Sequence, residues 1–472
     1  MSTIQLVIRT NGNLELDLET STKALPAVPA VTGWNSAKTY GGSPVPGWSY
    51  GRSVAVHTNG DYWVAGNFWN GKLKFGNVAT LTASAVDVFV AKFSASHSPL
   101  LALPFTCVGS SDFADVTGVA VDSAGNAWIH GYYMGTLTVG ATTLPTTSVN
   151  TAFWVKLSPA GAVLVVQASV NNAHVATRRI AIDSSDNVYL VGSYTGTCSF
   201  GSISLPTESQ NEVYVVKLNS SGVAQASQVS SGNATHYSIA NGIAVASNGD
   251  IYIAGRFNNI TNFGGTNLTS SVYGSAFVAK LNSSLSWTGA VATYYTGGTN
   301  PNSEAYDVEL DGSGNVYISG RFQTAGGSMN LGSFSLSIPS GFDIFVAKLS
   351  TSLVFGAVNQ GFCSDGKATA LARDASGNVW SAGYIQGPTC NLSGTALNAP
   401  QVSFYLAKLN SSCVFSSVTS AAGSSGASST SDIAIGSNGN IAWTGFVNGS
   451  ASFGSNNVSS SNDALVVSSY TI

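Results

Sequence analysis

The sequence predicts an all-β protein built from repeats of one short unit. Its 472 residues include 52 glycines and 44% hydrophobic residues, but only 8% of the residues are charged. Long helical proteins need alanine, glutamate, lysine, leucine and arginine in bulk, and disordered chains combine low hydrophobicity with high charge. The composition therefore excludes both classes and leaves a β-rich chain with an uncharged polar surface.

Charge and motif content exclude several function classes. Eighteen lysines and arginines against 22 acidic residues give a net charge of −4, so we expect no nucleic-acid partner. The sequence shows no apolar run of about 18 residues and no signal-peptide core, so we expect no membrane insertion and no leader. It also lacks a P-loop, an HExxH motif and a CxxC pair. We therefore predict no cofactor and no metal site.

Seven segments of the chain follow one pattern, exemplified by VAVDSAGNAWIHG and VELDGSGNVYISG. Each segment ends in a glycine, and successive glycines lie 61 to 65 residues apart: Gly66, Gly131, Gly192, Gly255, Gly320, Gly383 and Gly445. In the first six copies a second segment follows that carries a lysine near its end, as in DVFVAKF and DIFVAKL. Such regular self-similarity is typical of repeat architectures.

Each copy reads as a four-stranded meander with strands A, B, C and D. Strand A and strand B flank a tight turn whose fourth residue is glycine, or Asp186 in the third copy. The seventh copy ends before a strand D, whereas residues 33–42 resemble the strand D region at residues 287–298. The N-terminal segment can therefore complete the last sheet. This organisation predicts a seven-bladed β-propeller closed by an N-terminal strand.

The repeat resembles the SBBP-type bacterial β-propeller repeat. That family combines a D-x-x-G-N-x-Y/W-x-x-G turn and strand with a D-x-F-x-x-K-L strand, and the likeness covers roughly residues 33–472. The resemblance implies a propeller fold and a surface or extracellular setting. It implies no common catalytic residue.

Residues 1–31 lie outside the repeat and predict a short β-hairpin extension followed by a proline-containing linker. Two alternating segments flank Asn11-Gly12, which is a strong hairpin turn signal. Because an isolated two-stranded hairpin is marginal in water, this one must pack on the propeller of residues 32–472 or on another chain. We predict that it is an attachment segment whose anchor residues are Ile4, Leu6, Ile8, Leu14, Leu16 and Leu18.

Several recurrent side chains have both a structural and a functional interpretation. The turn aspartates could bind a cation, but they lack the run of carboxylates of a calcium loop, which favours hairpin structure. The recurrent lysines could form a basic ring, and their constant position favours packed stems with heads at solvent. The strand B aromatics could bind sugar, although packing between blades is favoured. A Cys390–Cys413 disulfide is possible.

Ligand binding in a propeller is expected where the copies differ. The residues two positions before strand A vary between copies, and other polar residues lie in the connections nearby. A mixture of isolated polar and aromatic groups suits a neutral polyol or glycan. The candidate ligand-binding residues are Arg52, His174, Arg178, Asn241, Glu304, Tyr306 and Lys367.

Three functions are compatible with these observations. The favoured one is a non-enzymatic structural and adhesion protein of a virion, such as a phage tail or head appendage, whose loops contact host-surface glycan or a neighbouring virion protein. In this interpretation the hairpin binds other virion or surface-assembly proteins. The second is a secreted or cell-surface bacterial scaffold. The third is a polysaccharide-active enzyme, for which Glu304 and Asp307 would be the carboxylate pair.

Overall fold

The computed structural model describes residues 5–8, 14–17, 33–40, 47–83, 85–270, 273–324, 326–338, 341–425 and 428–471. Within these ranges the chain is all-β, with 70% strand and no helix. Alternating apolar residues and frequent turn glycines produce short antiparallel strands joined by tight turns. The architecture is β-propeller-like.

The strands of the described residues are grouped here by repeat unit. Before the first unit lie β1 (Gln5–Ile8), β2 (Leu14–Asp17) and β3 (Gly33–Tyr40). Unit 1 contains β4 (Trp48–Val56), β5 (Tyr62–Trp69), β6 (Lys72–Phe75), β7 (Ala79–Thr82), β8 (Asp87–Phe93) and β9 (Pro99–Cys107). Unit 2 contains β10 (Phe113–Val121), β11 (Ala127–Gly135), β12 (Leu137–Val139), β13 (Thr142–Thr143), β14 (Thr147–Leu157), β15 (Val163–Ala168) and β16 (Val170–Asn171).

The next two units follow the same plan. Unit 3 contains β17 (Val175–Ile182), β18 (Val188–Gly196), β19 (Cys198–Phe200), β20 (Ile203–Ser204), β21 (Glu208–Leu218), β22 (Ala224–Val229) and β23 (Ser231–Gly232). Unit 4 contains β24 (Tyr237–Val245), β25 (Ile251–Asn258), β26 (Ile260–Phe263), β27 (Thr266–Thr269), β28 (Ser275–Leu281), β29 (Trp287–Ala292) and β30 (Tyr294–Thr296).

Strands become fewer and longer in units 6 and 7. Unit 5 contains β31 (Asn302–Leu310), β32 (Val316–Gln323), β33 (Ser328–Leu331), β34 (Phe334–Leu336), β35 (Asp343–Leu349) and β36 (Phe355–Phe362). Unit 6 contains β37 (Asp365–Arg373), β38 (Val379–Leu392), β39 (Thr395–Leu409) and β40 (Phe415–Ser425). Unit 7 contains β41 (Ser428–Ile435), β42 (Asn440–Phe453) and β43 (Asn456–Thr471).

Each unit pairs its strands in the antiparallel order A-B-C-D. In unit 2, for example, β10 pairs with β11, β11 with β14, and β14 with β15. Unit 7 takes its fourth strand from the other end of the chain, because β3 pairs antiparallel with β43 from Gly33↔Thr471 to Tyr40↔Leu465. The strand that precedes the first unit and the last strand of the chain's described part therefore share one sheet.

Backbone pairing also links neighbouring units. The segment between strands B and C was expected to be a connection, but in several units it forms a small hairpin. The hairpin of one unit pairs with the last strand of the unit before it, as β12 does with β9 and β33 does with β30. These pairs give hydrogen-bond partners to strand edges that would otherwise be exposed.

The turn between strands A and B has the predicted conformation. Its fourth residue has a positive φ, for example 80° at Gly125 and 60° at Asp186. Asp122 accepts hydrogen bonds from the backbone N–H groups of Ala124 and Asn126, at 3.1 and 2.9 Å. This geometry confirms that the aspartate side chain organises the turn.

The repeated lysines lie closer to acidic groups than the sequence analysis predicted. Lys156 Nζ lies 3.0 Å from Asp122 Oδ2 and 4.9 Å from the centroid of the Trp128 ring. The register pairs Trp128 directly with Lys156, which places the ammonium over the ring and beside the turn carboxylate. Lys348 and Lys408 make the same ion pair with the aspartate that opens their turn. Lys92 and Lys280 pair instead with an aspartate that directly follows the turn glycine. The lysine heads are therefore not simply solvated.

The strand B aromatics are buried, as the packing interpretation predicts. Trp63 and Trp128 are fully buried, and each lies in a hydrophobic cluster that includes residues of the neighbouring unit. Because these rings sit between sheets, they carry much of the apolar surface that holds adjacent units together.

Acid is expected to unfold the protein through the turn carboxylates. Burial opposes ionisation of Asp122, Asp183, Asp311 and Asp374, but hydrogen bonds from asparagine side chains and backbone N–H groups outweigh it and lower each pKa. A carboxyl group with a lowered pKa contributes stability above its unfolded pKa of about 3.9 and loses it as the pH falls through the folded value. The urea concentration at the unfolding midpoint should therefore decrease as the pH is lowered from 5 to 2.5. Asp311→Asn should be less stable than the native chain at pH 6, and the difference should narrow as the pH falls below about 4. Parallel pH profiles for the two chains would contradict this assignment.

Candidate functional site

Every strand A carries a β-bulge at the same position. The register shifts by one residue between Gly51 and Ser53 in β4, and equivalent shifts occur in the other six A strands. The residues omitted from the pairing are Arg52, Thr117, Arg178, Asn241, Tyr306, Thr369 and Ser431. These residues were predicted to lie before strand A, but they lie within it. A bulge re-aims the extra residue away from the sheet.

The repeat glycine of strand B makes this bulge possible. A Cβ atom at Gly66 would overlap the carbonyl oxygen of Tyr50, and one at Gly383 would overlap that of Lys367. The other five repeat glycines face the corresponding strand A carbonyl in the same way. The glycine that defines the repeat thus permits the close approach that turns one side chain per unit out of the sheet.

All seven bulge residues line one cavity of 630 Å³, called here the mouth cavity. Five of the predicted ligand-binding residues lie in its wall: Arg52, Arg178, Asn241, Tyr306 and Lys367. Glu304 reaches it indirectly, since Glu304 accepts hydrogen bonds from Asn241 Nδ2 and the Tyr306 hydroxyl at 2.9 and 2.8 Å. His174 is exposed on the connection before β17 and does not line the cavity.

Aromatic residues form one side of the mouth cavity, and the sequence analysis missed them. Trp69 stacks on Tyr50 with ring centroids 5.2 Å apart, and Phe446 packs edge-on against Tyr50 at 4.9 Å. Tyr384 lines another part of the wall. Tyr384 and Phe446 each directly follow the repeat glycine of strand B. The residue after that glycine was therefore a periodic signal that could have found them.

The acidic residues near the mouth cavity are held by hydrogen bonds within the protein. Asp115 accepts from the Tyr132 hydroxyl at 3.2 Å and lies 3.4 Å from Arg52 Nε. Asp463 accepts from the Tyr50 hydroxyl and from Asn448 Nδ2. Burial, followed by the Asp115 charge and hydrogen bond, raises the pKa of Tyr132 to about 12. These tyrosines therefore act as neutral hydrogen-bond donors.

Lys367 has an unusual setting in the wall. Its ammonium lies 3.7 Å from the centroid of the Tyr306 ring. Burial lowers the pKa of Lys367 to about 8, with Arg321 and Arg178 adding to the effect and Glu304 opposing it. Lys367 makes no salt bridge with any described residue, so the contact with the tyrosine ring holds its ammonium group in place.

Directly below the mouth cavity, three charged residues form what we call the central ion triad: Arg179, Asp307 and Asp432. Arg179 Nη2 lies 2.7 Å from Asp307 Oδ2, and Nη1 lies 2.9 Å from Asp432 Oδ2. Each follows a bulge residue, and together they connect units 3, 5 and 7. Ser53 and the Leu371 N–H also donate to these carboxylates, at 2.7 and 2.9 Å.

The triad forms part of the boundary between two cavities. Arg179 lines the mouth cavity, and all three triad residues line a second cavity of 150 Å³ below it. Glu309 also lines this lower cavity, and burial raises its pKa to about 7. The Asp307 carboxylate, named above as a partner for Glu304, is bound in the triad.

The predicted attachment hairpin is present as a pair of strands. β1 and β2 pair antiparallel from Gln5↔Asp17 to Ile8↔Leu14. Leu6, Ile8, Leu14 and Leu16 lie in these strands, whereas Ile4 and Leu18 lie outside the described residues. Elsewhere, none of the five cysteines forms a disulfide, so Cys390 and Cys413 are not joined.

The described residues show neither a metal-binding group nor a membrane-spanning helix. No group of three or more histidine, cysteine, aspartate or glutamate side chains there is arranged to hold a metal ion. In the same residues, no helix has the length and apolar character needed to span a membrane.

The chain resembles several solved structures at low sequence identity. One is a protein of unknown function from Dyadobacter fermentans, which is 12% identical, covers 94% of this chain and 100% of its own, and has a TM-score of 0.45. A NanB sialidase from Streptococcus pneumoniae is 8% identical over 84% of this chain and 65% of its own, with a TM-score of 0.36. An ulvan lyase, a polysaccharide lyase, is 10% identical over 90% of this chain and 85% of its own, with a TM-score of 0.34. No family model and no curated protein matches the chain, so the SBBP resemblance stays a prediction.

Proposed function

We propose that this chain is a non-enzymatic glycan-binding adhesion protein. In this proposal a seven-bladed β-propeller, closed by β3, binds a sugar in its mouth cavity. The observation that carries it is the bulge repeated in all seven A strands, which directs seven different side chains to one cavity. Its volume of 630 Å³ lies within the range of about 300–1,000 Å³ of small-molecule sites.

The chemistry of the wall supports a sugar ligand. Asn241, Thr369 and Ser431 offer neutral hydrogen-bonding groups, while Trp69 and Tyr384 offer flat apolar surfaces. A sugar ring presents hydroxyl groups at its rim and C–H groups on its faces, and this wall matches both. Bonding of Asp307 within the central ion triad favours binding over hydrolysis, because glycoside hydrolysis needs a pair of available carboxyl groups.

The hairpin of β1 and β2 is the proposed attachment segment. Its pairing supports a folded element that is too small to be stable by itself. An adhesion protein needs one surface for its ligand and another for its own assembly, and the hairpin and the mouth cavity would serve these two purposes. The assembly itself, a virion or a bacterial surface, stays a prediction of the sequence.

Filling the mouth cavity should abolish glycan binding without unfolding the protein. Ser431→Trp introduces a large side chain at a bulge position with room around it. On a glycan array we expect binding by the native chain and a loss of at least tenfold by this variant. The matched control is Ser284→Trp, at an exposed turn residue outside the cavity.

Two outcomes would contradict the proposal. Equal glycan binding by Ser431→Trp and Ser284→Trp would show that the ligand does not bind in the mouth cavity. Release of soluble sugar from a bound polysaccharide, abolished by Glu304→Gln, would make the protein an enzyme. Circular dichroism of each variant checks that the sheet structure is retained.

A further inference from the structure

The charged groups in the wall of the mouth cavity are all cationic. They are Arg52, Arg178, Arg179 and Lys367, and none of the acidic residues that the structure describes lines the cavity. Arg179 is neutralised by the central ion triad, and Arg52 lies near Asp115. Arg178 and Lys367 make no salt bridge with any acidic side chain among the described residues. The wall therefore presents to a ligand two cations that no salt bridge pairs.

These two cations come from different units but act on each other. Arg178 belongs to β17 of unit 3, and Lys367 belongs to β37 of unit 6. Arg178 contributes to the lowered pKa of Lys367, after the larger effect of burial. Two like charges that face one cavity repel each other, and an anion between them would relieve this repulsion. The placement of both cations in the wall of one cavity therefore favours an anionic ligand group.

Aromatic rings lie beside the cations. Tyr306 lies beneath the Lys367 ammonium, and Tyr50 and Trp69 are stacked in another part of the wall. A ligand with an anionic group and a sugar ring could contact both kinds of surface at once. A simple inorganic anion would leave the aromatic surfaces unused.

We propose that the ligand of the mouth cavity is an acidic glycan whose carboxylate or sulfate ester is held between Arg178 and Lys367. This inference rests on the proposed function and specifies the class of sugar. It replaces the neutral glycan favoured by the sequence analysis. Arginine and lysine both bind such oxyanions through charge-assisted hydrogen bonds.

Calorimetric titration with two matched polymers tests the inference. Polygalacturonate carries a carboxylate on each sugar, and its methyl ester has the same backbone without the charge. We expect the native protein to bind the acid at least tenfold more tightly than the ester. Dextran sulfate against dextran forms the corresponding pair for a sulfate ester and shows which anion is preferred.

Substitutions locate the anion. Arg178→Met and Lys367→Met should each weaken binding of the preferred acidic polymer at least tenfold. Arg373→Met is the matched control, because Arg373 is exposed at the opposite end of β37 from Lys367 and does not line the cavity. Equal losses for the control and the site variants would overturn the assignment to these two residues.

The pH dependence gives a second readout. Affinity for the acidic polymer should fall as the pH rises through about 8, because Lys367 then loses its proton. The charged groups that act on Lys367 are Glu304, Asp365, Arg178 and Arg321, and Tyr306 lies against it with a pKa raised mainly by burial. Lys367→Arg should keep the affinity and remove this pH dependence, since arginine stays charged. An unchanged pH profile in this variant would contradict the role of Lys367.

The failure of this inference can be told apart from the failure of the proposed function. Equal binding of acid and neutral polymers, lost in Ser431→Trp, would retain glycan binding and overturn the acidic ligand. Absence of binding to both pairs and to every sugar on the array would overturn both proposals.

Discussion

Replacing Arg179 with methionine is expected to lower the free energy of unfolding by about 3–5 kcal/mol. The substitution leaves Asp307 and Asp432 buried without their cation, and each of these side chains is only 6% exposed. An uncompensated buried charge is costly because the protein interior replaces water poorly. Urea unfolding at pH 7 measures the change.

The neighbouring residue provides a matched control for this substitution. Arg178 is exposed and makes no ion pair among the described residues, so Arg178→Met should change stability by less than about 0.5 kcal/mol. Adding Asp307→Asn and Asp432→Asn to the Arg179 variant should recover part of the loss by removing the unpaired charges. Equal stability of the two arginine variants would mean that the central ion triad does not hold units 3, 5 and 7 together.

Replacing Trp69 with alanine is expected to weaken glycan binding by about 30-fold or more, which is the effect of losing an aromatic residue that anchors a ligand. Trp69 lines the mouth cavity, and its ring is oriented by stacking on Tyr50 and on Trp48, at 5.2 and 5.7 Å between centroids. The substitution removes this flat apolar surface. Titration with the best ligand of the glycan array measures the loss.

The control for Trp69 is an aromatic residue outside the cavity. Tyr294 is 50% exposed and does not line the mouth cavity, so Tyr294→Ala should bind glycan with native affinity. Thermal unfolding of both variants separates a loss of ligand contact from a loss of structure. Native affinity in the Trp69 variant would exclude the aromatic wall from the binding site.

Much of the fold could be predicted because its signals are local. The positive φ at Gly125 and the backbone hydrogen bonds to Asp122 involve only five consecutive residues. The residue types at those positions are therefore enough to predict them. The strand B aromatics and the pairing of β1 with β2 follow from alternation and turn residues in the same way. Because the units repeat, a strand and turn assignment that is correct for one unit applies to the others.

The site was predicted only in part, because it depends on how strands are paired. Arg52, Arg178 and Tyr306 were found because they vary between otherwise similar copies, but they were placed outside strand A. The bulge that contains them arises from the contact between the strand B glycine and the strand A carbonyl oxygen. His174 was included for its position near strand A in the chain, and the structure places it away from the cavity.

The sequence by itself determined the repeat, the strand order within a unit and the chemistry of each turn, since these are set by residues close together in the chain. Only the tertiary structure decided which charges meet. Arg179 is 128 residues from Asp307, and no local pattern relates their side chains. The same holds for the lysine, aspartate and aromatic set found in five units, whose contact requires the register between strands B and C. Distant residues become neighbours through strand pairing, and that pairing turns a varied set of polar residues into one cavity.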